Sequence, residues 1–172
     1  MAESDFLLTM AEIAIAFVAF ATIIIVFRQS VGHELTALQI LVGRSLIELS
    51  LGVTLLSLMP VVLNHFDIGG DALWRASSGV LGIFFAWFAC WYPLRRRRAA
   101  GSDAPARGFT FYFVMGGSAI ATLVLFANAL IWADFALFSL GLFWGLVAPS
   151  TVFLWSLVVF LHPSDVNSID SD

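Results

Sequence analysis

The sequence has no lysine, one cysteine and little charge of either sign: charged residues fill 12% of its 172 positions. A soluble domain carries roughly 25%. The deficit argues against a water-soluble globule, and it also excludes a disordered or collagen-like chain. A lone cysteine, Cys90, cannot build a disulfide framework or a cysteine-based zinc site. Its setting is apolar and beside Trp91, which reads as a packed thiol. A net charge of −4 argues against nucleic acid as a partner.

Hydrophobic residues make up 60% of the chain. That is about 103 residues, enough for roughly five membrane-spanning helices of about 20 residues each. Long apolar runs with at most one charge each place them at about 6–27, 46–66, 74–94, 109–132 and 136–161. The last two are separated only by Asp134, so a tight turn is predicted at Trp132-Ala133-Asp134. The reading is an all-α bundle of five transmembrane helices forming one domain over 1–163. A short acidic tail over 164–172 is expected to be disordered. The acidic start Met1-Ala2-Glu3-Ser4-Asp5 does not fit the basic opening of a signal peptide.

All eight basic residues are arginine. Arg28, Arg44, Arg95, Arg96, Arg97, Arg98 and Arg107 fall on one side of an alternating bundle, and Arg75 falls alone on the other. The positive-inside rule makes the first side cytoplasmic, with the N-terminus outside and the C-terminus inside. Trp91, Tyr92 and Pro93 read as an aromatic belt and a helix stop before the four consecutive arginines. Arg95 to Arg98 serve either as a topology anchor or as an anionic-lipid site. Residues His33 to Gly43 either extend the second helix or lie along the interface.

Few residues inside the membrane can carry chemistry. Glu12 lies about two turns into the first span, where a carboxylate is costly unless paired or hydrated. It shares a face with Thr9, Ala16, Ala19 and Thr22, which predicts that this face meets protein or water. Glu12 is then a proton or cation site, or a partner for Arg75. Arg44 and Glu48, four residues apart, form either a static pair or a gate. Gly141 and Gly145 make a GxxxG face for close helix approach. Pro149 frees the Gly145 carbonyl near Ser150 and Thr151, and Pro60 frees that of Leu56. Each is a kink satisfied locally or part of an ion path. Asn128 is expected to hydrogen-bond between helices. His65, Asp67 and Asp71 match no metal-binding spacing. No enzyme motif is present, and no cofactor or metal is expected.

Two segments, Ala11-Glu12-Ile13-Ala14 to Phe27-Arg28 and Arg44-Ser45-Leu46-Ile47-Glu48 to Leu58-Met59-Pro60, resemble small multi-pass membrane proteins of bacteria. The resemblance covers the first two spans. It implies a helical protein of the bacterial inner membrane and brings no activity with it. The translocator-protein family is similar in length, helix number and tryptophan content. Its Trp- and Pro-rich loop after the first helix has no counterpart in Gln29 to Gly43, so that family is set aside. Two functions are expected from the residues. One is a homo-oligomeric ion channel or transport protein whose first span lines the path. The other is a non-catalytic scaffold bound to membrane-protein partners.

Overall fold

The structure, a computed structural model, describes residues 2–30, 36–100 and 108–161. Its elements are α1 (Ala2–Ser30), α2 (Ala37–His65), α3 (Gly70–Ala100), α4 (Phe109–Ala127), a π-helical turn (Asn128–Trp132) and α5 (Phe135–Leu161). Among the described residues, five helices are long and apolar enough to cross a membrane. An apolar chain in a bilayer must satisfy its backbone within each segment, and the α-helix does so. The chain is a multi-pass membrane protein. The tail 164–172, Arg107 and the Arg28 side chain lie outside the described residues.

Side-chain contacts fix the packing. Gly43 sits on Ile25, and Gly52 on Phe84, so α1, α2 and α3 alternate in direction. Leu125 packs on Gly141, which sets α4 antiparallel to α5. Phe6 meets Phe135 edge-on and Phe17 meets Phe153, so α1 runs parallel to α5. The bundle therefore has a turn end, with the α2–α3 and α4–α5 connections, and an arginine end, with Arg44 and Arg95 to Arg98. Between them lies a core that includes Leu81, Phe85, Leu125, Phe138 and Leu142.

The stretch before the second span extends its helix, one of the two readings open for it, and the end of the third helix differs from expectation. The second helix begins at Ala37, because Thr36 and Gln39 form a reciprocal capping box. The third helix passes through Pro93 to Ala100, so Pro93 is not a stop. Contacts on either side of Pro93 hold the helix together there. Tyr92 stacks on Phe88, and Arg95 bonds to Glu48 of α2.

Glycines set how closely the helices approach. A methyl group on Gly117 would overlap the Trp144 ring, whose Nε1 donates to Ser118 Oγ at 3.2 Å. Gly117→Ala is expected to cost about 1–3 kcal/mol in detergent unfolding, the usual range for overpacking. Gly116→Ala, with open space at that position, should stay within about 0.5 kcal/mol of wild type.

Candidate functional site

The membrane-embedded charges fall into three separate places. The first is the Glu48 clamp at the arginine end. Arg44 Nε donates to Glu48 Oε1 at 2.7 Å, one turn away on α2. Arg95 Nη1 donates to Glu48 Oε2, also at 2.7 Å, from α3. The arms differ in exposure: the Arg44 side chain is 66% exposed, Arg95 24% and Glu48 25%. The Arg95 guanidinium also lies over Trp87 at 6.0 Å and Trp91 at 5.9 Å. The inner arm is the stronger one, since charge pairs out of water are screened less.

The four consecutive arginines therefore split by helical position. Arg95 turns onto Glu48, and Arg96 lies over Phe111 of α4 at 5.4 Å. Arg97 and Arg98 are exposed. The sequence shows Arg44 as a partner for Glu48 but gives no spacing signal for Arg95, because that pairing joins two helices.

The second place is the α4–α5 turn. Arg75 does not meet Glu12. Its guanidinium donates to the carbonyls of Ala129 at 3.0 Å and Leu130 at 2.8 Å, with Ile131 at 3.5 Å. These are end-of-helix carbonyls that lack intrahelical donors, and a cation there also opposes the helix dipole. Beside it Asn128 is fully buried. Its Nδ2 donates to Ser78 Oγ and to the Asp134 carbonyl, and its Oδ1 accepts from Asp134 N–H, each at 2.8 Å. Ala133 reverses the chain in the left-handed region, at φ 57°. Asn128 thus ties α4, α3 and the start of α5 together. The sequence points to the interhelical bond but not to the two bonds across the turn.

The third place is the outer face of α1. Thr9, Glu12, Ala16, Ala19 and Thr22 all face away from the rest of the chain. The buried face is instead Leu7, Met10, Ala11, Ala14 and Ala21. Small residues occur on both faces, so their presence does not mark the inner one. Thr9 and Thr22 satisfy their hydroxyls on the carbonyls of Asp5 and Val18. Among the described residues, the Glu12 carboxylate meets no cation.

The remaining candidates are packing elements. Gly141 lies against Leu125, and Gly145 against Val53 and Phe85, so the GxxxG face is used inside the chain. Pro60 and Pro149 are buried. Ser150 and Thr151 bond back to the carbonyls of Leu146 and Val147. They do not turn toward Gly145. Cys90 is exposed, contrary to the packed reading. Among the described residues, no three His, Cys, Asp or Glu side chains come together. No protein-family model, curated protein or solved structure matches this chain.

Proposed function

We propose that several copies of this chain assemble into a small cation channel or transport pore lined by α1. The observation that carries the reading is the outward direction of Glu12. A charged side chain turned to lipid near mid-span costs about 2.5–3.5 kcal/mol on insertion scales. Other copies of the same face would place Glu12 in a hydrated ring of carboxylates, which favours cations. Ala16 and Ala19 leave room for neighbouring helices below it. Exposed Ile23 and Val26 supply an apolar constriction of the kind that gates by dewetting. The arginine end faces the cytoplasm of a bacterial inner membrane, as the charge asymmetry favours.

The test is cation flux into liposomes with the protein shown to be folded. Glu12→Gln keeps the shape and removes the charge. It should lower flux by about tenfold or more, since fixed charge concentrates counter-ions by 10–10³. Glu12→Asp should retain most of the flux. A strict monomer in mild detergent, or no flux above empty liposomes, would remove the proposal. The same outward carboxylate also fits a scaffold in which Glu12 meets a cation of another membrane protein. A stoichiometric heteromer lost in Glu12→Gln would favour that reading.

A further inference from the structure

At the arginine end a cavity of about 430 Å3 opens between α2, α3, α4 and α5. Pockets that hold small molecules run from about 300 to 1,000 Å3. Leu46, Leu49, Val114 and Val152 give it apolar walls. Aromatic rings form one side. Phe88 and Tyr92 of α3 stack 14° from parallel, and Phe111 of α4 lies 6.4 Å from Tyr92 at 30°. Two hydroxyls also line the cavity, those of Ser45 on α2 and Tyr92. Gly52 of α2 meets Phe84 of α3, and about two turns from there toward the arginine end the antiparallel helices bring Ser45 level with Tyr92. Neither hydroxyl hydrogen-bonds to another described residue. Ser45 is only 6% exposed. The Oγ atoms of Ser50, Ser77 and Ser139 are sealed inside the bundle, whereas that of Ser45 opens on the cavity. A polar group taken out of water is costly until something accepts its hydrogen bond. Arg96 lines the cavity too, but it is already engaged, with the Phe111 ring among its contacts.

We infer that this cavity binds a flat, neutral, carbonyl-bearing lipid of the isoprenoid-quinone class. The quinone ring lies against Phe88, Tyr92 and Phe111, since aromatic faces favour offset stacking on another flat ring. A carbonyl oxygen accepts from the Tyr92 and Ser45 hydroxyls. Specificity in such pockets comes from a few polar groups set among apolar walls. The open polar groups here are uncharged donors, which suits a neutral head. A bare acyl chain fills the volume but leaves both hydroxyls unmatched. The size also fits: at roughly 30 Å3 per water-sized group the cavity holds about fourteen such groups, a substituted ring and the start of a tail. Exposed Phe109 and Trp155 line the cavity, so it reaches the outer surface of the bundle. The tail leaves there into the bilayer, and the ligand enters from the side without crossing water. Among the described residues none of α1 lines the cavity, so the site stands apart from a path lined by that helix.

The experiment is isothermal titration of the full chain, delipidated in mild detergent and held at fixed detergent concentration. The probes are 2-decyl-1,4-benzoquinone and decylbenzene, alike in ring and tail and different in the two carbonyls. The wild type should bind one quinone per chain, about tenfold or more tighter than decylbenzene, the scale of a hydrogen bond made out of water. Ser45→Ala and Tyr92→Phe each remove one hydroxyl. Each should weaken quinone binding by about three- to tenfold and leave decylbenzene within about twofold. The double change should abolish the preference. Tyr112→Phe, at an exposed tyrosine of α4 outside the cavity, should alter it by less than about twofold. Val42→Phe, which narrows the cavity, should weaken both probes. Should Tyr92→Phe not fold, the wild-type comparison and Ser45→Ala still decide. Equal affinity of the wild type for the two probes would overturn the site. So would an undiminished preference in the double variant, or unchanged binding in Val42→Phe. Displacement of the quinone by equimolar phosphatidylglycerol would also overturn it, by making the cavity an acyl-chain site.

Discussion

Asn128→Ala should lower the stability of the folded chain in detergent by about 2–4 kcal/mol. Three hydrogen bonds are lost at once from a fully buried side chain. Interhelical bonds in membranes average only about 0.6 kcal/mol, with a maximum near 1.7. The larger figure here comes from what is left behind. Ser78 Oγ, buried, loses its partner, and so does the Asp134 N–H in the turn. An orphaned buried polar group costs about 1–3 kcal/mol. Asn128→Asp should be at least as damaging. It removes the two donated bonds and buries a carboxyl against the Asp134 carbonyl. Asn64, which is exposed, is the control, and Asn64→Ala should change stability by less than about 0.5 kcal/mol. Equal unfolding midpoints for Asn128→Ala and wild type would refute the role assigned to this side chain.

Glu48→Leu comes next in size, with an expected loss of about 2–3 kcal/mol. Breaking a buried ion pair by removing one partner costs about 3–5 kcal/mol. The value is set lower here because Glu48 and Arg95 keep about a quarter of their side-chain surface exposed. Leucine preserves the volume, so the loss reports on the stranded Arg95 guanidinium. The two arms should separate. Arg44→Ala removes an exposed pair one turn apart and should cost no more than about 0.5 kcal/mol. Arg95→Ala removes the interhelical arm and its stacking on Trp87 and Trp91, and should approach the Glu48→Leu value. The ranking is read from thermal unfolding of the four proteins side by side. An Arg44→Ala loss as large as that of Arg95→Ala would mean that the local pair holds Glu48.

These two sites show how unevenly the sequence reveals the molecule. Thr36 and Gln39, three residues apart, form the capping box that starts α2, a signal that the apolar runs used to place the spans do not carry. Arg44 and Glu48 are legible, because their pairing lies within one helix turn. Arg95 on Glu48 and Arg75 on the carbonyls of Ala129 to Ile131 join residues about fifty positions apart. No periodicity encodes such a meeting. Pro93 misleads for a related reason: a proline removes one helix bond, but contacts from neighbouring helices carry the helix past it.

The sparse charge and long apolar runs by themselves determine that this chain forms helices that enter a membrane, and how many. The physics is local to each segment: length against bilayer thickness, and backbone hydrogen bonds that must close within the helix. The grouping of arginines likewise marks one end of the bundle. Only the tertiary structure decides which way each helix faces. In a soluble protein the polar face of a helix announces its exterior. Here apolar residues surround every helix, and the inner face is chosen by shape, by glycines against rings and by alanines against neighbouring helices. That choice turns Glu12 outward, gives Arg75 to a helix end and places Ser45 and Tyr92 on a cavity.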